Sequence, residues 1–221
     1  LEQERISELE QERISKLDKY LKITGLNNYE LNDEDQKVLN KKINLTNFKV
    51  SELFDIHPTK TYKGNNDYLL SKDGKIPVVA NTGNNNGICG YSNLNPTEKG
   101  GVITFSDTTT ADSIFYQPNA FVGYSHVQGV YPYSSLWNEK SLRYFMTVFK
   151  KVALNKNFDY ANKFNRKLAL DFDVPLPSLD GINPDYEYMG KYITTIEKLT
   201  IKNVVEYKDK VINLTKKVCN N

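Results

Sequence analysis

Residues Gly100–Pro132 read GGVITFSDTTTADSIFYQPNAFVGYSHVQGVYP. Four runs in it, Gly101–Ser106, Ser113–Tyr116, Ala120–Tyr124 and Val127–Val130, are short and apolar and are separated by Gly, Asn, Pro, Ser and Thr. That texture predicts strands joined by polar turns. Outward from this stretch it extends from Asn44 to about Leu179, adding candidate strands at Phe48–Val50, Ile76–Ala80 and Ala169–Val174. One helix interrupts them, capped by Asn138 and carrying Leu142, Phe145, Met146 and Phe149 at i, i+3, i+4, i+7. The expectation is an α+β globule on a twisted, barrel-like sheet with small helices.

Both ends of the chain are helical in pattern. An octapeptide repeat opens it, LEQERISE at Leu1–Glu8 and LEQERISK at Leu9–Lys16. Ile6, Leu9, Ile14, Leu17 and Leu21 form a broad, drifting apolar stripe on that helix. Thr24-Gly25 stops it, and a short helix follows from a cap at Asn32 or Asp33 to Ile43. Pro175 and Pro177 close the globule, and Asn183-Pro184 opens a last helix with Asp185 and Glu187 in its first turn. Its apolar positions include Ile193, Ile196, Val204, Val211 and Leu214, and at about 33 residues it would span about 50 Å. A helix that long outruns its globule, so the two long helices are expected to pair as an antiparallel coiled coil. The domains expected are residues 1–43, 44–180 and 181–221.

The formal net charge is +2, 29 Lys and Arg against 27 Asp and Glu, too mild a balance to diagnose a nucleic-acid partner. Distribution says more: acidic residues crowd the first part of the chain, while Lys60, Lys63, Lys72, Lys75, Lys150 and Lys151 begin a basic middle. With only Cys89 and Cys219 there is neither a disulfide framework nor zinc spacing, which predicts a reducing, cytoplasmic setting. No apolar run reaches the roughly 18 to 20 residues of a membrane span. Opening at Leu1 inside a helical pattern, the chain reads as a piece of something longer.

Catalytic patterns fail on inspection. Asn183-Pro184-Asp185-Tyr186 resembles the NPPY box of amino-methyltransferases, but Asp185 breaks it and no Gly-rich cofactor loop precedes it; a helix cap explains it. Pro184-Asp185 with Glu206-Tyr207-Lys208 fits a PD...ExK pattern, yet on one helix the two lie about 30 Å apart and cannot chelate one metal. His57 and His126 are the only histidines, and no metal or triad spacing accompanies them. No enzyme activity, catalytic residue or metal is expected in this chain.

What remains is polar loops suited to reading a groove edge. Asn81, Thr82, Asn84, Asn85 and Asn86 follow a strand, and amides present a donor and an acceptor together, the geometry that pairs with adenine in the major groove. Thr108, Thr109 and Thr110, and Tyr124, Ser125, His126 and Gln128, sit at other strand ends as base-edge or phosphate ligands, or as ordinary strand-end hydrogen bonds. Lys156, Asn157, Tyr160, Lys163, Asn165, Arg166 and Lys167 interleave cations with amides and aromatics. There the cations would neutralise phosphates and set register while amides read bases; Phe158 and Phe164 read as core.

The order of segments resembles that of specificity subunits of type I restriction-modification enzymes and of related type IIB and IIG proteins. The pieces that carry the likeness are FKVSELFDI at Phe48–Ile56, IPVVANTGNNNGICGY at Ile76–Tyr91, the Gly100–Pro132 stretch, and KFNRKLALDFDVPLP at Lys163–Pro177, leading into PDYEYMGKYI and a long helix. The resemblance implies a target recognition domain reading one half of a split double-stranded DNA target. It also implies helices that act as a ruler between half-sites, with methyltransferase subunits docking on them and restriction subunits joining. S-adenosylmethionine, and ATP and magnesium for restriction, would then be bound by those partner subunits. The family carries two recognition domains, and this chain departs from it with one. It is the second half of a full subunit, part of a fused type IIG methyltransferase-nuclease, or a half-subunit that forms a homodimer about a two-fold axis. A structural protein that assembles through its helices and reads no bases is the remaining rival.

Overall fold

The computed structural model describes residues 2–107, 110–159 and 162–219. The chain divides into two compact units, one of Leu1–Lys41 with Lys191–Asn221 and one of Lys42–Gly190. Elements run α1 (Glu2–Thr24), α2 (Asp33–Asn40), β1 (Leu45–Lys49), α3 (Val50–Leu53), β2 (Phe54–Pro58), α4 (Asn66–Leu69), β3 (Ile76–Val79), β4 (Ile88–Ser92), β5 (Val102–Ser106), β6 (Phe115–Gln117), β7 (Val122–Gly123), β8 (Val127–Pro132), α5 (Glu139–Leu154), α6 (Arg166–Leu170), β9 (Asp173–Pro177) and α7 (Tyr186–Cys219).

The α+β class stands, but the sheet is not barrel-like. Among the described residues the strands form three open sheets, ordered β2-β8-β5-β6, β4-β3-β7 and β1-β9. Closure would need the edge strands to find partners. Here β2 ends at Pro58 and β6 is followed by Pro118, and a proline supplies no ladder donor. Pairing is antiparallel except between β3 and β7.

The main core is aromatic. Phe54, Phe145 and Phe149 are fully buried, with Phe54 and Phe145 centroids 4.2 Å apart and Phe145 stacked on Phe149 at 5.5 Å. Each buried ring contributes about 2 to 3 kcal/mol of apolar transfer. Helix α5 delivers two of them because Leu142, Phe145 and Phe149 share one face and because Asn138 and Ser141 form a reciprocal capping box.

Local expectations differ in several places, one of them α2, which ends at Asn40 and not at Ile43. The strand expected at Ala169–Val174 is the end of α6 followed by β9; Asn165 caps that helix by accepting from the Leu168 amide at 3.1 Å, and Leu-Ala-Leu continues it. Helix α7 starts after Asp185, which accepts from the Tyr188 amide at 2.9 Å. Asn183 is not its cap, because its amide and side chain are held by the Asp180 carboxylate at 2.8 and 2.9 Å. β2 and β4 are strands outside the expected set.

In the helical unit the Asn32 and Asp35 capping box starts α2. Asp35 also accepts from Lys198 Nζ at 2.7 Å and from Thr195 Oγ1 at 3.0 Å, and Lys202 pairs with Glu30 at 3.0 Å. These links tie the α2 segment to α7. On α1, Leu21 is buried and Ile14 and Leu17 are half-buried, whereas Ile6 and Leu9 are exposed. On α7, Ile193 and Ile196 are half-buried and Val204, Val211 and Leu214 are exposed. Among the described residues no helix is long and apolar enough to cross a membrane.

Candidate nucleic-acid interface

Strand register brings separate loops to one end of the globule. Ser106 of β5 pairs with Val127 of β8, and Pro58 of β2 with Gln128, so the loops after β5 and before β8 leave the same edge. Val79 of β3 pairs with Gly123 of β7, which places the start of the Asn81–Gly87 loop beside the chain leading into Tyr124–His126.

Side chains then lock these loops together. Asn86 Nδ2 donates to Tyr116 O at 3.0 Å and to Gln117 Oε1 at 3.3 Å, and Gln117 Nε2 donates back to Asn86 O at 3.0 Å and to Thr104 Oγ1 at 3.0 Å. Gly83 lies so close to Asp112 that a Cβ there would sit 2.7 Å from Asp112 Oδ2. Thr110 Oγ1 donates to Asp112 Oδ1, and Lys150 Nζ donates to Asp112 O at 2.7 Å and Ile114 O at 3.3 Å while lying over the Phe115 ring. Burial holds the Lys150 ammonium below its ordinary pKa, only partly opposed by Asp112. Asp107 meets both His126, 3.3 Å from Nδ1 to Oδ1, and Gln128, whose Nε2 donates to Oδ2 at 2.7 Å. A cavity of about 330 Å³ separates Thr110, Ala111 and Asp112 from Ala153, Leu154, Asn157 and Phe158. The loops around residues 81–87, 110–112, 124–128 and 154–158, together with Asp107, are therefore neighbours.

Backbone conformation marks the same loops. Asn85, Asn86, His126 and Asn157 are the non-glycine residues with positive φ among those described, at 48°, 54°, 65° and 51°. Asn tolerates the left-handed region because its short amide bonds locally, whereas His does so at a cost. Such strain collects where a structure needs a side chain aimed.

The candidate residues divide by what their polar atoms already do. Asn86 and Gln128 hold the loops, Asn165 caps α6, and Tyr124 donates to Asn66 Oδ1 at 2.8 Å. Thr82 accepts from the Asn84 amide at 3.2 Å, and Asn85 Nδ2 donates to Ile88 O at 3.1 Å. Asn81, Asn84, Ser125, His126 and Asn157 are exposed at the loop end, and Lys156 is exposed with its Nζ over the Phe172 ring, 5.1 Å from the centroid. Lys163, Arg166 and Lys167 are exposed too, but Arg166 and Lys167 ride on α6, which packs against α3 and β2. Thr108, Thr109 and Tyr160 lie outside the described residues. Asp112, Gln117 and Lys150 have roles that no local pattern in the sequence singles out, since they depend on partners remote in sequence. Asn65-Asn66, beside Tyr124, carry a signal that was there to be read, the amide-rich string KGNND. Among the described residues no group of three or more His, Cys, Asp or Glu could hold a metal ion.

Residues 42–207 match the family described as "Type I restriction modification DNA specificity domain". The chain is 26% identical over 170 residues to the specificity subunit S.BcgI of a type II restriction enzyme from Heyndrickxia coagulans, an overlap of 75% of this chain and 47% of that protein. Its fold is similar to the S subunit of a type I restriction-modification system from M. genitalium, with a TM-score of 0.57, 13% identity and coverage of 96% of this chain and 56% of that one. It is also similar to the HsdS subunit of Thermoanaerobacter tengcongensis, with a TM-score of 0.52, 12% identity and coverage of 99% and 54%. The chain thus spans about half the length of these relatives.

Proposed function

The chain belongs to the family of type I restriction-modification DNA specificity domains, and on that premise we propose that its globule reads the bases of one half of a bipartite duplex target and performs no chemistry itself. The observation that carries this is the gathering of four sequence-distant polar loops at one end of a rigid aromatic core, cross-linked by Asn86, Gln117, Asp107 and Lys150. Held loops lose little freedom on binding, so their exposed groups discriminate bases at low entropic cost. Asn81, Asn84, Ser125, His126 and Asn157 offer donors and acceptors to base edges, and Lys156 beside them offers phosphate neutralisation.

The helical unit would dock methyltransferase subunits, and through them the restriction subunit. S-adenosylmethionine, ATP and magnesium would act on those partners. A second recognition domain, in a longer chain or in a second copy of this one, would read the other half-site. The exposed Val204, Val211 and Leu214 of α7 supply apolar surface for such assembly.

The test is selection of the full chain against a randomised duplex pool. One short motif should be enriched, and Lys156→Ala should lower the salt dependence of binding by about 0.9 in log-log slope while leaving the motif intact. A pool that stays random would overturn the reading in favour of a purely structural role.

A further inference from the structure

We propose that Asp107 sets the tautomer of His126, so that His126 presents an acceptor nitrogen to DNA and selects a base with an exocyclic amino group in the major groove, adenine N6 or cytosine N4. This rests on the DNA-reading role above and assigns one position of the target to one side chain.

Asp107 follows the last residue of β5, and its backbone amide donates to His126 O at 3.1 Å, fixing the two residues side by side. Its carboxylate is held from the other side by Gln128, which is 4% exposed and donates through Nε2 to Oδ2 at 2.7 Å. Oδ1 is buried and makes no hydrogen bond to any described residue; His126 Nδ1 lies 3.3 Å away. A buried carboxylate oxygen needs a donor, and a proton on His126 Nδ1 meets that need with a small ring rotation. A neutral imidazole carries a single N–H, so a proton on Nδ1 leaves Nε2 with a lone pair. The His126 side chain is 64% exposed and its backbone is left-handed at φ 65°, which puts the ring at the loop tip rather than in the sheet. An acceptor there pairs with amino hydrogens, which adenine and cytosine offer in the major groove and guanine and thymine do not.

Asp107→Asn tests the assignment with Gln128 kept in its present orientation, Nε2 toward residue 107 and Oε1 buried without a hydrogen bond. The oxygen of the new amide takes the place that accepts from Gln128 Nε2, and its NH2 then faces His126 Nδ1. The ring must carry its proton on Nε2 and becomes a donor, suited to guanine N7 and O6 or thymine O4. Asp107 is thus a positioning residue acting through His126.

The full chain, D107N, H126G and the double variant are each selected against the same randomised duplex pool under identical conditions. Glycine suits the left-handed backbone at 126, so H126G removes the ring without straining the loop. One motif position should be restricted to A or C in the parent, switch to G or T in D107N by about tenfold, and become degenerate in H126G. The double variant should match H126G. An unchanged motif in both single variants, or a D107N effect that persists without the ring, would overturn the assignment while leaving DNA reading intact. A parent that enriches no motif overturns both.

Discussion

Asn86 and Gln117 grip one another between a loop and strand β6: Asn86 Nδ2 donates to Gln117 Oε1 at 3.3 Å, and Gln117 Nε2 donates to Asn86 O at 3.0 Å. Gln117 is 2% exposed, so this pair is a buried polar bolt between the Asn81–Gly87 loop and the main sheet. Asn86, with φ 54°, is shaped to receive it.

Replacing Gln117 with Leu should cost about 2 kcal/mol, because Asn86 O and Thr104 Oγ1 both lose their donor. Urea unfolding should show a lower midpoint at unchanged slope. Hydrogen exchange should also quicken at the Gly87 amide, which donates to Asn84 O at 2.9 Å. Unaltered exchange there would mean that the loop supports itself.

Gly83→Ala addresses the contact between two loops. The new Cβ would sit 2.7 Å from Asp112 Oδ2, so the Asp112 carboxylate must swing away and disturb its bond from Thr110. Affinity for the selected duplex should fall about tenfold with little change in melting temperature. Adding Asp112→Ala should recover part of it. A double variant as weak as the single one would place the defect elsewhere.

Lys198 holds the Asp35 carboxyl below its ordinary pKa of 3.8, helped by the Asn32 amide and Thr195. A carboxyl depressed in the fold stabilises it fully above the unfolded pKa, and that stability is lost as pH falls through the folded value. Lys198→Met should therefore cost about 3 kcal/mol at neutral pH, since both side chains are largely buried. The gap between parent and variant should narrow only below about pH 4. Urea titrations by circular dichroism across pH measure it, and a gap that is flat down to the acid limit would discount the pair.

From Glu2 onward the octapeptide repeat lies on α1, a continuous helix over Glu2–Thr24. Each copy contributes about 12 Å of helix, equivalent to about 3.5 base pairs. In an intact assembly where the helices set half-site separation, deleting Leu9–Lys16 should shorten the spacer by three to four base pairs, roughly. The half-site bases should not change. Methylome sequencing of cells carrying either form reads both at once, and an unchanged spacer would reduce the repeat to helix filler.

Local chemistry was legible without coordinates. Asn138 and Asn32 cap helices where their spacing to Ser141 and Asp35 says they should, because a cap bonds within one turn. The strands from Val102 to Pro132 follow from short β-branched and aromatic runs between turn residues, and the loops between them were visible as polar. What a loop amide does was not legible. Asn81 and Asn84 are exposed while Asn86 is spent on Gln117, some thirty residues away, and nothing local separates the three. The openness of the sheets, the late start of α7 and the meeting of Asp107 with His126 and Gln128 were likewise settled only in three dimensions. The sequence by itself determines the helix caps, the polar turns and most of the helices and strands, because those depend on neighbours a few bonds away. Only tertiary structure decides which polar groups are left over to meet a ligand, because that depends on register and on partners the chain brings together last.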